Sequence, residues 1–205
     1  MISTLSHQEL QRLDHDGFVV LEPTSLDCAQ LKNVAQKLYQ EKYFKSATIG
    51  ASNTVKSNFS EIRNDFTLWI DLNDLPASLQ NAETEILKNY CRFLEIVLAD
   101  LKNYFRISLN SFETHFAVYP KGHFYKKHVD QTALNNKRHF SFVIYLNENW
   151  TQADGGRFLG YKDNQKSFDC LPLMGKMIIF LSSLEHEVSP ANRERFSISG
   201  WFRND

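Results

Sequence analysis

The second half of the chain is a series of short aromatic and β-branched segments with no helical pattern between them. From Ser111 onward these segments read FETHFAVY, HFSFVIYLN, RFLGY, MIIFL and RFSISGWF, and Gly, Pro, Asn and Asp separate them. Apolar runs of this length bounded by turn residues are typical of β-strands. Strands that follow one another without intervening helices favour an antiparallel sandwich or barrel.

The first half is predicted to be mainly helical and to support this β-core. Apolar residues recur there every three to four positions, as in amphipathic helices, and the polar segment Ser46–Ser60 has no period and is predicted to be a loop. We expect one domain over 1–205, with helical support, a lid loop and the first strands in 1–110 and the β-core in 111–205. The predicted elements of the first half are a helix over Gln8–Asp14 ending at Gly17, a strand over Phe18–Leu21, helices over 25–43 and 76–105, and a strand within 62–71.

Composition excludes several classes of partner. The formal net charge is −1, so there is no basic excess of the kind that nucleic-acid or membrane binding usually requires. Three dispersed cysteines without a CxxC motif favour a reducing compartment, and the N-terminal sequence lacks the pattern of a signal peptide. We expect a cytoplasmic protein, and a monomer because no apolar stretch is left over.

A metal site is indicated by His128, Asp130 and His186. The first two are expected just after an apolar strand and are two residues apart, so in a strand conformation their side chains would point to the same face, and His186 follows the run MIIFL. Two histidines and one carboxylate can hold octahedral Fe(II) with three positions open, whereas a structural zinc site takes four ligands, usually with cysteine. A His-x-Asp pair alone is a weak signal, because most such pairs lie on the surface.

Arg195 strengthens the interpretation. It lies nine residues after His186 at the start of RFSISGWF, where alternation places Arg195, Ser197, Ser199 and Trp201 on one face of the strand. An arginine on an enclosed strand needs an anionic partner, and its planar guanidinium suits a two-point grip on a carboxylate. The distal carboxylate of 2-oxoglutarate is such a partner.

These motifs as a set resemble a known family. The stretches HFAVYPKGHFYKKHVD, YLNENW, DGG and HEVSPANRERFSISGWF are similar to the prolyl 4-hydroxylase branch of the iron(II)- and 2-oxoglutarate-dependent oxygenases, and most of all to bacterial relatives of the hypoxia-sensing prolyl hydroxylases. The resemblance covers about residues 62–202. It implies an α+β, mainly β fold, in which N-terminal helices buttress a double-stranded β-helix (jelly-roll) core.

The resemblance also implies the chemistry and the partners. The metal would be Fe(II), the co-substrates 2-oxoglutarate and O2, and ascorbate an optional reductant. The substrate would be a prolyl residue in a protein, hydroxylated at ring carbon four. No side chain would act as a catalytic residue beyond the metal ligands.

Further residues receive roles only through the resemblance. Tyr145 would join Arg195 at the distal carboxylate of 2-oxoglutarate, Tyr119 would line its chelating end, and Ser199 would lie beside it. Phe158 would line the pocket, and His115 would form part of its wall without binding the metal. Contacts with the substrate are implied for Arg63, Asp65, Trp69, Arg138 and Trp201.

One position departs from the family pattern. Arg63-Asn64-Asp65 has asparagine where the pattern has glycine, so we expect a less permissive backbone there, next to a lid loop over about Lys45–Ser60. The geometry of that loop influences the choice of substrate.

Three other functions are weighed against prolyl hydroxylation. A hydroxylase of a free amino acid or another small molecule would favour a shorter lid than this chain offers. A nucleic-acid dealkylase of this family generally has a second arginine six residues after the first, where this chain has Trp201. A non-catalytic metal-binding jelly-roll sensor would have no use for Arg195 and Tyr145. A zinc protease is excluded, because HEVSP lacks the second histidine of HExxH.

Overall fold

Two antiparallel sheets form the centre of the computed structural model, which describes residues 4–48, 61–132, 136–163 and 165–205. The strands are β1 (Phe18–Leu21), β2 (Lys45–Ser46), β3 (Phe66–Trp69), β4 (Ser111–Tyr119), β5 (Tyr125–His128), β6 (Arg138–Tyr145), β7 (Phe158–Lys162), β8 (Gln165–Cys170), β9 (Met177–Leu181), β10 (Glu185–Val188) and β11 (Arg195–Arg203). The larger sheet has the order β1-β9-β6-β11-β4-β3-β2, and the smaller one has the order β5-β10-β7-β8. Side chains of both sheets pack together in one apolar cluster, as in a jelly-roll.

Three helices accompany the sheets: α1 (His7–Asp16), α2 (Cys28–Gln40) and α3 (Asn81–Phe105). The hydroxyl of Ser6 caps α1 in a capping box with Glu9, and Gly17, with φ of 82°, ends it in the left-handed region that favours glycine. Apolar residues of all three helices share one core with the outer face of the larger sheet. None of the helices in the described ranges has the length and apolar character needed to span a membrane.

The alternation predicted for β11 is confirmed. Phe196, Ile198 and Phe202 belong to the core shared with the helices, and Ser199 and Trp201 face the opposite side, toward a cavity. The strand therefore divides its side chains between structural support and the functional site. The fold class predicted from the sequence, a jelly-roll core with N-terminal helices, is also confirmed.

Most predicted elements are present with shifted boundaries. The strands over 18–21 and 177–181 have the predicted bounds, whereas α2 and α3 begin three and five residues later than predicted. Of the predicted loop 46–60, residues 49–60 lie outside the described ranges, and Ser46 belongs to β2.

Besides β2, three of the described strands were not predicted, and these three belong to the smaller sheet. Their sequences are YKKH, QKSFDC and EHEV, which are short and polar. We expected His128 to follow an apolar strand, and this was wrong, because His128 ends the polar strand β5 itself. The smaller sheet buries only part of its side chains, so it lacks the apolar signal of the larger sheet.

Candidate active site

The sheets enclose a cavity of about 540 Å³. Its wall includes residues of β4, β6 and β11 from the larger sheet and of β5, β7 and β10 from the smaller one. Phe158 lines this cavity as expected, and its ring lies 5.2 Å from the ring of His186. His115 is a wall residue, as predicted, and lies outside the cluster of candidate metal ligands.

His128, Asp130 and His186 come together at the cavity. His128 and His186 are paired across β5 and β10, and Asp130 follows the end of β5. The candidate ligand atoms of the three residues all lie within 4.8 Å of one another. Nε2 of His128 is 3.7 Å from Oδ1 of Asp130, and Nε2 of His186 is 3.5 Å from Oδ2. This donor set fits a metal ion held on one face.

Backbone carbonyls fix both imidazoles in the form that binds metals. Nδ1 of His128 lies 2.8 Å from the carbonyl of Lys126, and Nδ1 of His186 lies 2.9 Å from that of Leu184. Because a carbonyl only accepts, each Nδ1 carries the proton, and each Nε2 offers its lone pair. Burial, aided by the neighbouring His186, lowers the pKa of His128 from 6.5 to about 3. The neutral, ligating form of His128 therefore prevails at physiological pH.

Asp130 is oriented by a pair of buried serines. Ser141 Oγ donates to Oδ2 of Asp130 at 2.7 Å and lies 2.8 Å from Ser182 Oγ. The carbonyl of Ser182 accepts from the Asp130 amide at 3.0 Å. Burial raises the pKa of Asp130, but His186, His128 and the Ser141 hydroxyl lower it more, so it lies below the usual value. The carboxylate is thus ionised, with one oxygen already held by the protein.

Arg195 occupies the other end of the site. It is 1% exposed, and in the described residues its hydrogen-bond partner is the Ser197 hydroxyl at 3.2 Å, with no carboxylate in reach. Its Nε and the hydroxyl of Tyr145 are buried and have no hydrogen-bond partner in the parts of the chain described. A buried cation beside an unsatisfied hydroxyl fits the carboxylate of a ligand, because native proteins rarely leave such groups unpaired.

Tyrosine rings surround this guanidinium. Arg195 lies 4.9 Å from the ring centre of Tyr119, its partner across β4 and β11, and 5.2 Å from that of Tyr145. Tyr119 lines the cavity, whereas Arg195 and Tyr145 lie behind it. Burial raises the pKa of both tyrosines well above the usual value, so both keep the proton with which they can donate.

Gly156 lets the chain pass close to Arg195. Its φ is +61°, and a Cβ at this position would lie 3.0 Å from Cδ of Arg195 and 3.1 Å from Cβ of Ala191. The second glycine of the DGG motif therefore serves the packing of the arginine.

The predicted substrate residues Trp69, Arg138 and Trp201 meet at the rim. The rings of Trp69 and Trp201 lie 4.9 Å and 5.4 Å from that of His115, and Arg138 lies 3.6 Å above the Trp201 ring. Glu113 binds Arg138 at 2.8 Å. Burial and the neighbouring Arg63 lower the pKa of His115 to about 4, so its imidazole is neutral.

Arg63 and Asp65 are paired with each other. Arg63 donates to both carboxylate oxygens of Asp65, at 2.8 Å and 2.7 Å, and Asp65 is 1% exposed. Arg63 lines the cavity and Asp65 does not. Asn64 has no positive φ, so its backbone conformation does not require glycine. Its side-chain oxygen instead accepts from the Phe124 amide at 2.8 Å.

Three residues near the metal ligands escaped sequence analysis: Tyr125, Ser141 and Ser182. Ser141 could have been found, because it shares the two-residue period of Tyr145 on β6. Tyr125 could not, because it lies three residues before His128, which in a regular strand means the opposite face. A bulge in β5 opposite β10 changes this, since Val188 pairs with Tyr125 and His186 with His128.

The fold and the geometry define a class of site, a His-Asp-His triad that could hold a metal ion in the cavity of a jelly-roll, together with a buried arginine. A model of the 2OG-Fe(II) oxygenase superfamily matches residues 114–203, which include the triad and Arg195. This part of the chain is therefore similar to members of that superfamily.

Two solved structures and one further protein are similar to this chain. A prolyl-4-hydroxylase structure from Pseudomonas putida has 28% sequence identity and a TM-score of 0.79, over 97% of this chain and 98% of that chain. A prolyl hydroxylase from Trichoplax adhaerens, solved with a hypoxia-inducible-factor peptide, has 22% identity and a TM-score of 0.80 over 96% and 87%, which shows the shared fold. A hypoxia-inducible factor prolyl hydroxylase from Caenorhabditis elegans is 26% identical over 174 residues, 82% of this chain but 23% of that protein's length.

Proposed function

We propose that this chain is an Fe(II)- and 2-oxoglutarate-dependent dioxygenase that hydroxylates a prolyl residue in a protein, as a prolyl 4-hydroxylase. The observation that carries the proposal is the buried Arg195 without a carboxylate partner, close to a His-Asp-His cluster. A plain metal site leaves such a cation unexplained. An oxygenase that binds a dicarboxylic acid uses both features.

The residues present fit the two groups. His128, Asp130 and His186 would hold Fe(II) and leave three positions open. Arg195 and the Tyr145 hydroxyl would bind the distal carboxylate of 2-oxoglutarate, and Tyr119 and Ser199 would flank its other end. When bound, iron and 2-oxoglutarate supply the oxidising power that inserts an oxygen atom of O2 into a substrate C–H bond. The chain's own contribution is to orient the ligands, bind the carboxylate and exclude water.

The rim supports a peptide as the substrate. Trp69 is 53% exposed beside the cavity, and Trp201 forms a second aromatic surface under Arg138. A prolyl ring packs well on aromatic faces, and an open rim accommodates the chain on either side of it. The P. putida protein is a prolyl-4-hydroxylase, and the T. adhaerens protein binds a peptide of hypoxia-inducible factor.

The other expectations stay part of the proposal. We propose a single oxygenase domain over 1–205, since helices and strands share one core, and a cytoplasmic monomer that binds no nucleic acid and uses ascorbate as an optional reductant. A small-molecule hydroxylase is the alternative, and it would act on free proline or another free amino acid as well as on peptides. A metal-binding sensor without turnover would show no decarboxylation of 2-oxoglutarate.

The test is to incubate the Fe(II)-loaded protein with 2-oxoglutarate and lysate proteins, and to measure succinate together with a prolyl adduct of about +16 Da by mass spectrometry. Free proline in parallel distinguishes the small-molecule alternative. We expect His128→Ala to abolish iron-dependent turnover while leaving the fold largely intact, because His128 lines the cavity and is not part of the apolar core. Wild-type protein that neither binds nor consumes 2-oxoglutarate would contradict the proposal.

A further inference from the structure

An aromatic ring covers one face of the metal ligand His128. The ring of Tyr125 lies 3.5 Å from the His128 ring, centre to centre, with an angle of 15° between the planes. The bulge in β5 creates this stack by turning Tyr125 to the same side as His128. The stacked tyrosine ring restricts rotation of the imidazole about its χ2 angle. The carbonyl contact at Nδ1 alone would restrict this rotation less.

A buried ion pair holds the other face of Tyr125. The Arg63 guanidinium lies 4.3 Å from the Tyr125 ring centre, within the range of a cation–π contact. Two hydrogen bonds to the buried Asp65 fix the plane of that guanidinium. This segment is anchored to β5 by the backbone pairing of Arg63 with Tyr125. The Phe124 amide also donates a hydrogen bond to the side-chain oxygen of Asn64.

Arg193, which does not line the cavity, provides the contrast. It too lies over an aromatic ring, that of Trp150, and it too has a carboxylate partner, Asp154. The indole of Trp150 donates to the Gly155 carbonyl and not to a candidate metal ligand. Two arginines of similar local chemistry therefore differ in what lies beyond the ring they cover.

We propose that Arg63, with Asp65, and Tyr125 are positioning residues for His128. The order of contacts is Asp65 to Arg63, Arg63 to Tyr125, and Tyr125 to His128, with the imidazole presented to the metal at the end. This inference rests on the proposed function, because it takes His128 as a ligand of the iron. It gives this role to two residues for which the sequence predicts binding of the substrate.

The test measures metal affinity without substrate or 2-oxoglutarate, using Mn2+ and calorimetry. Tyr125→Leu removes the ring, and the double variant Arg63→Met/Asp65→Asn removes the ion pair without leaving a buried charge. Each should weaken Mn2+ binding by about tenfold or more, as for other groups that orient metal ligands. Tyr125→Phe keeps the stacked ring, so this variant should bind Mn2+ with wild-type affinity. Arg193→Met is the matched control and should leave Mn2+ affinity unchanged.

A second measurement separates positioning from substrate binding. In turnover assays the two weakened variants should need more Fe(II) for half-maximal rate, with the KM for the prolyl peptide unchanged. Wild-type Mn2+ affinity in both variants, or a change confined to the peptide KM, would overturn the assignment while leaving the oxygenase function in place. Wild-type protein that binds no Mn2+ would overturn the metal centre itself, and the positioning role with it.

Discussion

The two ends of the active-site cavity differ in how their polar groups are satisfied. At the metal end, His128 and His186 donate from Nδ1 to backbone carbonyls, and Asp130 accepts from Ser141. At the other end, Nε of Arg195 and the hydroxyl of Tyr145 are buried with no hydrogen-bond partner in the described residues. The protein itself satisfies the polar groups at one end, and at the other end it leaves these two groups unsatisfied in the described residues.

This difference agrees with what the two proposed ligands, a metal ion and a dicarboxylate, would require. A metal ion needs lone pairs aimed at one point, so the protein satisfies every other atom of the donors in advance. A dicarboxylate brings its own acceptors, so its binding groups must stay free until it arrives. Each unsatisfied buried group costs roughly 1–3 kcal/mol. Such a penalty, uncompensated inside the fold, is what we expect of groups that bind a ligand.

The largest predicted effect compares Arg195 with Arg63. Arg63 has a carboxylate partner within the protein, Asp65, whereas Arg195 has none among the described residues. Arg195→Met should weaken binding of 2-oxoglutarate by about 2–5 kcal/mol, measured by calorimetry with Mn2+ present. Arg63→Met leaves Asp65 unpaired, and should lower the free energy of unfolding by about 3–5 kcal/mol in urea titrations without ligands. Arg195→Met should lower it less, because no carboxylate of the described structure loses a partner.

Equal destabilisation by the two variants, or unchanged affinity for 2-oxoglutarate in Arg195→Met, would contradict this contrast. The Arg195→Ala variant checks the first part independently. It should lose the same 2–5 kcal/mol of 2-oxoglutarate affinity, and in addition leave a larger cavity.

The next effect concerns His115, which avoids buried charge by staying neutral. Its pKa in the folded protein is about 4, against an ordinary value of 6.5. As pH falls below 6.5, the unfolded chain binds a proton that the folded protein does not, so stability decreases until pH 4. The loss attributable to His115 is about 3 kcal/mol over this window, at about 1.4 kcal/mol per unit.

His115→Phe should remove that part of the pH dependence. Phenylalanine retains an aromatic ring between Trp69 and Trp201, so packing changes little. Urea unfolding without metal at pH 7 and at pH 4.5 measures the difference. Other groups with a lowered pKa, among them His128 and Asp130, contribute the remaining acid sensitivity. The same pH dependence in wild type and variant would show that His115 is protonated in the folded protein.

The sequence predicted the parts of the site that carry their own chemistry. Histidine, aspartate and arginine at the observed spacings identified His128, Asp130, His186 and Arg195 as candidates before any coordinates. The residues that support them were missed for a physical reason. Ser141 is an ordinary strand residue until it meets Asp130, and Tyr125 depends on a bulge set by its pairing with β10. Such contacts depend on tertiary structure, and local sequence does not encode them.

A smaller effect is expected when the orientation of Asp130 is disturbed. Ser141→Ala removes the donor to Oδ2, so the carboxylate is free to rotate and to bind a metal through both oxygens. Mn2+ affinity should fall by about 10- to 100-fold, a range typical of such supporting groups. Ser141→Thr keeps the hydroxyl and should recover most of the affinity. Equal loss in both variants would assign the effect to packing and not to the hydrogen bond.

The smallest effect should come from Gly156, which touches only the arginine end. Gly156→Ala places a Cβ 3.0 Å from Cδ of Arg195, and should displace the guanidinium and weaken 2-oxoglutarate binding by less than tenfold. Its backbone strain, about 1 kcal/mol or more, comes from the positive φ. Gly122→Ala is the matched control, because its φ is +84° and a Cβ there meets nothing within 4 Å. It should share the loss of stability and keep the affinity for 2-oxoglutarate. Because neither glycine supports a metal ligand, Mn2+ binding should be unchanged in both variants, and a loss of Mn2+ affinity in Gly156→Ala would show that the two ends are mechanically coupled.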